Sequence, residues 1–282
     1  MADIKILIDT AAQIRRDVLR MVHAPASGHT GGSLGCADFF TLMYFDVLNH
    51  NAKNFSVEDK NNEDLFFLSN GHVAPAWYSV LARSGYFPLK ELKTLRQINS
   101  RLQGHPTTEE KLPGIRIASG SLGQGLSVAC GAALAKKLNK DDRFVYVLMG
   151  DGELQEGQIW EAAAFAPAKK INNLIAFIDY NKKQIDGPTD EVLPLLDLRK
   201  KWESFGWHVL ETDGNDIKAL KETISEAKKH VEKEKPIMIL MTTIMGKGVD
   251  FMEDKHGWHG KAPNDEELEK ALTQIPETLG DY

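Results

Sequence analysis

Short apolar runs alternate along the chain with longer stretches in which apolar residues recur every three to four positions. The runs at 65–68, 144–149, 174–178 and 237–243 are nearly continuous, as strands covered on both sides must be, and 207–210 is a weaker fifth. Helical spacing occupies 37–48, 73–84, 89–97, 122–138, 157–169, 198–205 and 217–232. Strand gives way to helix throughout, so the pattern predicts an α/β chain, a parallel sheet covered by helices on both faces. A further amphipathic helix is predicted at 4–22, where Lys5, Asp9, Arg15, Arg16 and Asp17 break the apolar run and exclude a signal peptide or membrane span. No repeat, low-complexity tract or Pro/Ser-rich linker divides residues 1–282, which are expected to form a single domain. Within it, 246–264 carries four glycines and two histidines, a loop long enough to imply function, and 265–282 forms a C-terminal helix, 265–274, and tail.

Charge and composition narrow the classes that remain. Lys and Arg number 34 against 40 Asp and Glu, and the two signs are interspersed, so the chain lacks the basic surface that nucleic-acid binding needs. Cys36 and Cys130 lie far apart in apolar, helix-like stretches, which argues against a disulfide scaffold or structural zinc and makes the reducing cytoplasm the expected location.

The strongest local chemistry is a buried strand running directly into Gly150-Asp151-Gly152 and then a helix. Open α/β sheets bind ligands at the carboxyl ends of their strands, and a helix N-terminus there offers free N–H groups to phosphate oxygens. A carboxylate facing a diphosphate is repulsive unless a divalent cation lies between them, and Mg²⁺ meets that need with few protein ligands. An isolated Gly-Asp-Gly is most often a turn. Here the next strand ends in Asp179-Tyr180-Asn181, which puts a neutral oxygen at the same edge of the sheet, a suitable second ligand for a hard cation.

Histidines form a second group. His29, His72, His105 and His259 each stand beside glycine in a predicted loop, and imidazoles converging there would serve as donors to developing alkoxides or as proton carriers near neutral pH. His23, His50, His208 and His230 lack this setting and are assigned no role. His256 and His259 lack a nearby cysteine or third ligand, which argues against zinc. The glycines of 120–125 match neither a dinucleotide fingerprint nor a phosphate-binding P-loop, and Gly246-Lys247-Gly248 fails as a P-loop too.

Six ordered segments resemble the transketolase family, specifically its N-terminal diphosphate-binding domain and thus a thiamine-diphosphate-binding fold. They are Ser27-Gly-His-Thr-Gly-Gly-Ser-Leu-Gly35, Leu68-Ser-Asn-Gly-His72, Gln103-Gly-His-Pro106, Gly120-Ser-Leu-Gly-Gln-Gly125, Gly150-Asp-Gly-Glu-Leu-Gln-Glu-Gly157 and Trp258-His-Gly260. The resemblance implies that Asp151, Asn181 and the backbone carbonyl of Lys183 hold Mg²⁺, or Ca²⁺ or Mn²⁺ in its place. It implies thiamine diphosphate as cofactor, contacted by Gly152, Gly120, Leu122, Asn181, His72 and His259, with Gly32 and Met245 approaching it. His72 and His259 would face the diphosphate region or reacting centre, and His29 and His105 the substrate hydroxyls. Glu156 matches a position found at the contact between chains, and Arg96 a place near substrate. Thr30 stands where many relatives have proline.

The implied activity is transfer of a two-carbon ketol unit from a ketose phosphate to an aldose phosphate, the chemistry of the pentose phosphate pathway, with the cofactor as electron sink. The family continues into a pyrimidine-binding domain that supplies an activating glutamate, whereas this chain ends at Tyr282. The expectation is therefore the N-terminal subunit of a split transketolase, active with a separate C-terminal chain as a heterotetramer, or a homodimer of this half. The alternatives are a 1-deoxyxylulose-5-phosphate synthase, one chain of a 2-oxo acid dehydrogenase, and a non-catalytic binding or regulatory homologue; the Gly-His-Pro and Trp-His-Gly segments favour transketolase over the first two.

Overall fold

The computed structural model describes residues 2–58 and 63–282. Helix α1 (Ile4–His23) starts where the Asp3 side chain accepts the Lys5 N–H, and buries Leu7, Ala11, Ile14 and Val18 along one stripe. Of the charges that interrupt its apolar run, Lys5 is exposed and Asp9 half-buried, while Arg15, Arg16 and Asp17 are buried, each with a partner. Arg15 pairs with Asp38, Arg16 with Asp281 and Asp17 with Arg83, so the helix is covered by protein on the side that carries them.

After α1 come α2 (Thr30–Gly35) and α3 (Ala37–Leu42), which widens into a π turn at Met43–Val47. Strand β1 (Leu65–Leu68), α4 (Ala74–Arg83), α5 (Gly125–Leu138), β2 (Val145–Gly150), α6 (Gly157–Ala168) and β3 (Leu174–Tyr180) follow. A short hairpin, β4 (Lys183–Gln184) with β5 (Gly187–Pro188), leads into α7 (Thr189–Val192) and α8 (Leu198–Ser204). The chain finishes with β6 (His208–Asp213), α9 (Ile217–Lys229), β7 (Ile237–Thr242) and α10 (Asp265–Gln274).

The five long strands form one sheet in the order β1-β2-β3-β7-β6, every neighbouring pair parallel. Alternate residues serve opposite layers. Phe66, Leu68, Tyr146, Leu148, Ile175 and Phe177 pack with α1, α3, α4 and α9, while Leu65, Phe67, Val145, Val147, Ala176 and Ile178 pack with α5, α6 and α8. The expected parallel sheet with helices on both faces is thus observed. The weaker fifth strand is the edge strand β6, paired with β7; only Val209 in it is buried, Leu210 is half-buried, and its polar second half carries the exposed Glu211 and Asp213.

Three elements differ from expectation. The stretch 37–48 is a helix ending in the π turn, and 89–97 is only a 3₁₀ turn at Leu89–Thr94. Helix α2 falls where a loop is expected, because half its residues are glycine, a poor helix former. Its packing supplies the reason for them: a Cβ on Gly31 would lie 2.6 Å from Met245 Cγ, and one on Gly35 2.9 Å from the Ile244 carbonyl oxygen.

Phe177 is fully buried in β3, its ring 4.9 Å from that of Phe39 on α3. Phe177→Ala is expected to lower unfolding free energy by about 3–5 kcal/mol, measured by chemical denaturation.

Candidate active site

Parallel register brings the ends of β2 and β3 level, Gly150 opposite Asp179. Asp151 comes next and is 1% exposed; its carboxylate accepts the N–H groups of Gly152, at 2.7 Å, and Lys182. Burial pushes its pKa up to about 8, and the nearby charge of Asp179 adds to the rise. Asn181 points its Oδ1 to the Lys183 N–H at 2.9 Å, and its Nδ2 donates to Asp179 at 2.9 Å. Asp179, itself buried, also accepts from the Thr243 hydroxyl, so it ties β3 to the end of β7 while orienting Asn181.

Glu153 organises the other side. Its buried carboxylate accepts from the Ser69 hydroxyl after β1, from the Gly123 N–H at 2.7 Å and from the Gly150 N–H at 3.0 Å. Three chain segments that frame the same hollow therefore meet on one side chain.

The four glycine-flanked histidines converge above this edge. His29 lies 5.2 Å from His72, 6.1 Å from His105 and 5.7 Å from His259, and His72 lies 5.1 Å from His259, between ring centroids. Burial is the first cause that holds all four below the ordinary imidazole pKa, with His29 lowered to about 4. Neighbouring imidazoles and Arg96 lower His29 further. They are neutral at pH 7, each able to donate at one nitrogen and accept at the other. Nδ1 of His29 and of His259 is buried without a protein partner.

Glycine is required where these loops touch. Gly120 has φ +128°, and a Cβ there would sit 2.9 Å from the His105 ring. Thr30 uses its hydroxyl to hold the His29 turn to the Lys261 carbonyl at 2.7 Å, a bond proline cannot donate.

One cavity of about 320 Å³ joins the two groups. Its wall includes Asp151, Gly152, Asn181 and Lys183 together with His29, His72, His105 and His259, and with Gly120 and Leu122. Glu156 stands on its rim with an exposed side chain. Arg96 donates to the Ser27 hydroxyl at 2.9 Å and lies against Gly104 beside the histidines. Gly32 and Met245 are not brought to this wall: Gly32 is buried in α2 facing Val73, and Met245 is fully buried against Gly31. The four histidines without a glycine-loop setting stay apart from the cavity. His23 pairs with Asp265, His50 contacts Tyr44 and Tyr86, and His208 packs on His230.

Glu153, Asp179 and the β4–β5 hairpin join the site without a comparable mark in the sequence. For Asp179 the available signal is a charge closing an otherwise apolar strand. Glu153 has only its place in the turn after Gly152.

The donor set suits a hard cation. Asp151 supplies a buried carboxylate whose protein partners are N–H groups and Asn181 a carbonyl oxygen with a lone pair to spare, and Lys183, whose main-chain carbonyl is the expected third ligand, lines the same wall. Among the described residues no group of three His, Cys, Asp or Glu side chains forms a metal site, so a cation here relies on amide and carbonyl oxygens.

An open parallel sheet with an acid–amide pair at its carboxyl edge and neutral imidazoles above it defines an α/β domain built for a phosphorylated cofactor. Comparison with known proteins makes the class specific. The family model described as "Transketolase, thiamine diphosphate binding domain" matches residues 7–276. An apulose-4-phosphate transketolase subunit from Actinobacillus succinogenes is 40% identical over 266 residues, 94% of each chain. A 6-deoxy-6-sulfo-D-fructose transketolase subunit from a Clostridium species is 40% identical over 262 residues, 93% of each. The transketolase structure from Campylobacter jejuni superposes with a TM-score of 0.89 at 34% identity, covering 97% of this chain and 43% of that one. The chain belongs to the transketolase family and comprises its thiamine-diphosphate-binding domain. The matches favour transketolase over the synthase and dehydrogenase alternatives.

The site's geometry carries two expectations for stability. Removing the Glu153 carboxylate leaves three buried donors unmet, so Glu153→Ala is expected to cost about 3 kcal/mol or more in denaturant unfolding. The buried histidines bind protons more tightly when unfolded, so their contribution to stability is full above about pH 6.5 and is lost as pH falls toward the folded values. Asp151 acts in the opposite sense, since the folded state keeps its proton up to about pH 8. His72→Gln, uncharged in both states, should therefore flatten the fall in unfolding midpoint between about pH 6.5 and 4.5 relative to the parent.

Proposed function

We propose that the cavity binds thiamine diphosphate through a divalent cation, Mg²⁺ or in its place Ca²⁺ or Mn²⁺, and that the protein works with a separate C-terminal chain in cytoplasmic sugar-phosphate metabolism. The observation that carries this reading is the single cavity joining Asp151 and Asn181 to four neutral histidines. When bound, the cofactor supplies an electron sink for breaking and making the carbon–carbon bond of a ketol unit.

Asp151, Asn181 and the Lys183 carbonyl would hold the cation, whose charge would reduce the repulsion between the buried carboxylates and the anion. Gly152, Gly120 and Leu122 form wall against which the cofactor would lie. His72 and His259 hold or pass protons at the reacting end, while His29 and His105 bond substrate hydroxyls. Neutral imidazoles fit this task, because a charged ring could donate but not accept. Arg96 adds positive charge on the substrate side.

Two relatives carry names that make them one part of a divided transketolase, which supports a separate partner for this chain. Ile185, 60% exposed on the cavity wall, and Leu193, 53% exposed with its carbonyl accepting from the Gln155 side chain, offer apolar surface for it. Relatives named for apulose 4-phosphate and 6-deoxy-6-sulfo-D-fructose widen the range of donors beyond the pentose phosphate pathway.

Mixed with its C-terminal chain, thiamine diphosphate, Mg²⁺ and a ketose phosphate, the protein should show aldose-dependent transfer; comparable turnover by this chain alone would rule out the partner requirement. Asp151→Ala should lower kcat/KM at least about 100-fold. Chelation should abolish activity until Mg²⁺, Ca²⁺ or Mn²⁺ is restored. Failure of the reconstituted complex to bind the cofactor in calorimetry would favour a non-catalytic homologue.

A further inference from the structure

We infer that Gln184 is an additional cofactor-binding residue, its side-chain amide donating to an oxygen of the bound diphosphate; this rests on the cavity being the diphosphate site. Gln184 ends β4, where it pairs antiparallel with Gly187 of β5. The hairpin is fixed in place by three bonds. Lys183 Nζ meets Asp254 at 2.7 Å, the Lys183 N–H meets Asn181 Oδ1 at 2.9 Å, and the Thr189 N–H reaches the Lys182 carbonyl at 3.0 Å.

Held this way, Gln184 lies directly over the Gly-Asp-Gly turn. A Cβ built on Gly152 would come within 3.1 Å of Gln184 Cβ and 3.3 Å of its Oε1, so glycine at 152 makes room for this side chain. Gln184 lines the cavity, yet its Nε2 is buried without a hydrogen-bond acceptor from the protein. Buried amide nitrogens are nearly always bonded, and one left over at a cavity wall points to an acceptor that arrives with a ligand. An N–H₂ group cannot ligate a cation. It suits an anionic oxygen, and its place over Gly152, next to Asp151 at the carboxyl end of β2, puts it at the end of the cavity where the diphosphate is proposed to lie.

The test uses the complex with its partner chain, comparing the parent with Gln184→Met, Gln184→Glu and Asp151→Ala. Methionine keeps the bulk over Gly152 and deletes the donor; glutamate replaces the donor with negative charge. Calorimetric titration with thiamine diphosphate and Mg²⁺ should give about 10-fold weaker binding for Gln184→Met, the effect of one hydrogen bond to a charged group, and a larger loss for Gln184→Glu. Pyrophosphate, used as a competitor, should lose the same factor. Without ligand, Gln184→Met should melt at or above the parent temperature, since an unmet buried donor has been removed. Parent-like affinity in Gln184→Met, or weaker binding accompanied by a lower melting temperature of the unliganded protein, would overturn the assignment. If the parent complex binds no thiamine diphosphate, or Asp151→Ala binds it unchanged, the reading of the cavity itself fails and Gln184 falls with it.

Discussion

Two carboxylates buried side by side at the ends of neighbouring strands form an arrangement that water cannot stabilise, and Asp151 and Asp179 are placed in this way by the register of β2 on β3. Each is held by donors from elsewhere: Asp151 by two main-chain N–H groups, Asp179 by Asn181 and Thr243. These bonds orient the pair without neutralising it, which is why burial raises both pKa values. A divalent cation would complete what the fold leaves uncompensated. The same cavity is lined by Asn181 and Lys183 and by the four neutral histidines.

Glu153 and the close-packed glycines give this edge its rigidity. By accepting from Ser69, Gly123 and Gly150, Glu153 fixes the loops after β1, before α5 and after β2 relative to one another. Gly120 lets the loop bearing it pass against His105, and Gly31 lets α2 sit on Met245. The histidines are therefore held within about one ring-width of each other by backbone contacts that a side chain would block, and their low pKa values follow from the dryness of that packing.

The family relationship accounts for both the resemblance and its limit. The match takes in 94% of this chain and 94% of the apulose-4-phosphate relative, whereas the Campylobacter jejuni transketolase is matched over 97% of this chain but only 43% of its own. At the carboxyl edge of its sheet this domain presents an acid–amide pair, a histidine cluster and the exposed apolar Ile185 on the cavity wall.

Much of this is legible in the chain itself. Continuous apolar runs define the buried strands, helical spacing defines most helices, and Asp151, Asn181 and the four glycine-flanked histidines stand out because polar residues at strand ends and in glycine loops are exposed to ligand rather than to core. Helix α2 is hidden because glycine masks helical propensity, and the edge strand is faint because its second half, Glu211, Thr212 and Asp213, is polar. Glu153, Asp179 and Gln184 escape notice for a different reason. A carboxylate or amide acquires its role from the groups it meets, and Ser69, Gly123, Thr243 and Gly152 are brought to them only by folding. The amino-acid sequence by itself thus determined the layers of the fold and the candidate polar groups at its edge, since periodicity and residue chemistry are local. The tertiary structure decided which groups share a cavity, which are buried and which buried polar atoms lack a protein partner, because distance, burial and unmet hydrogen bonds exist only between segments far apart in the chain.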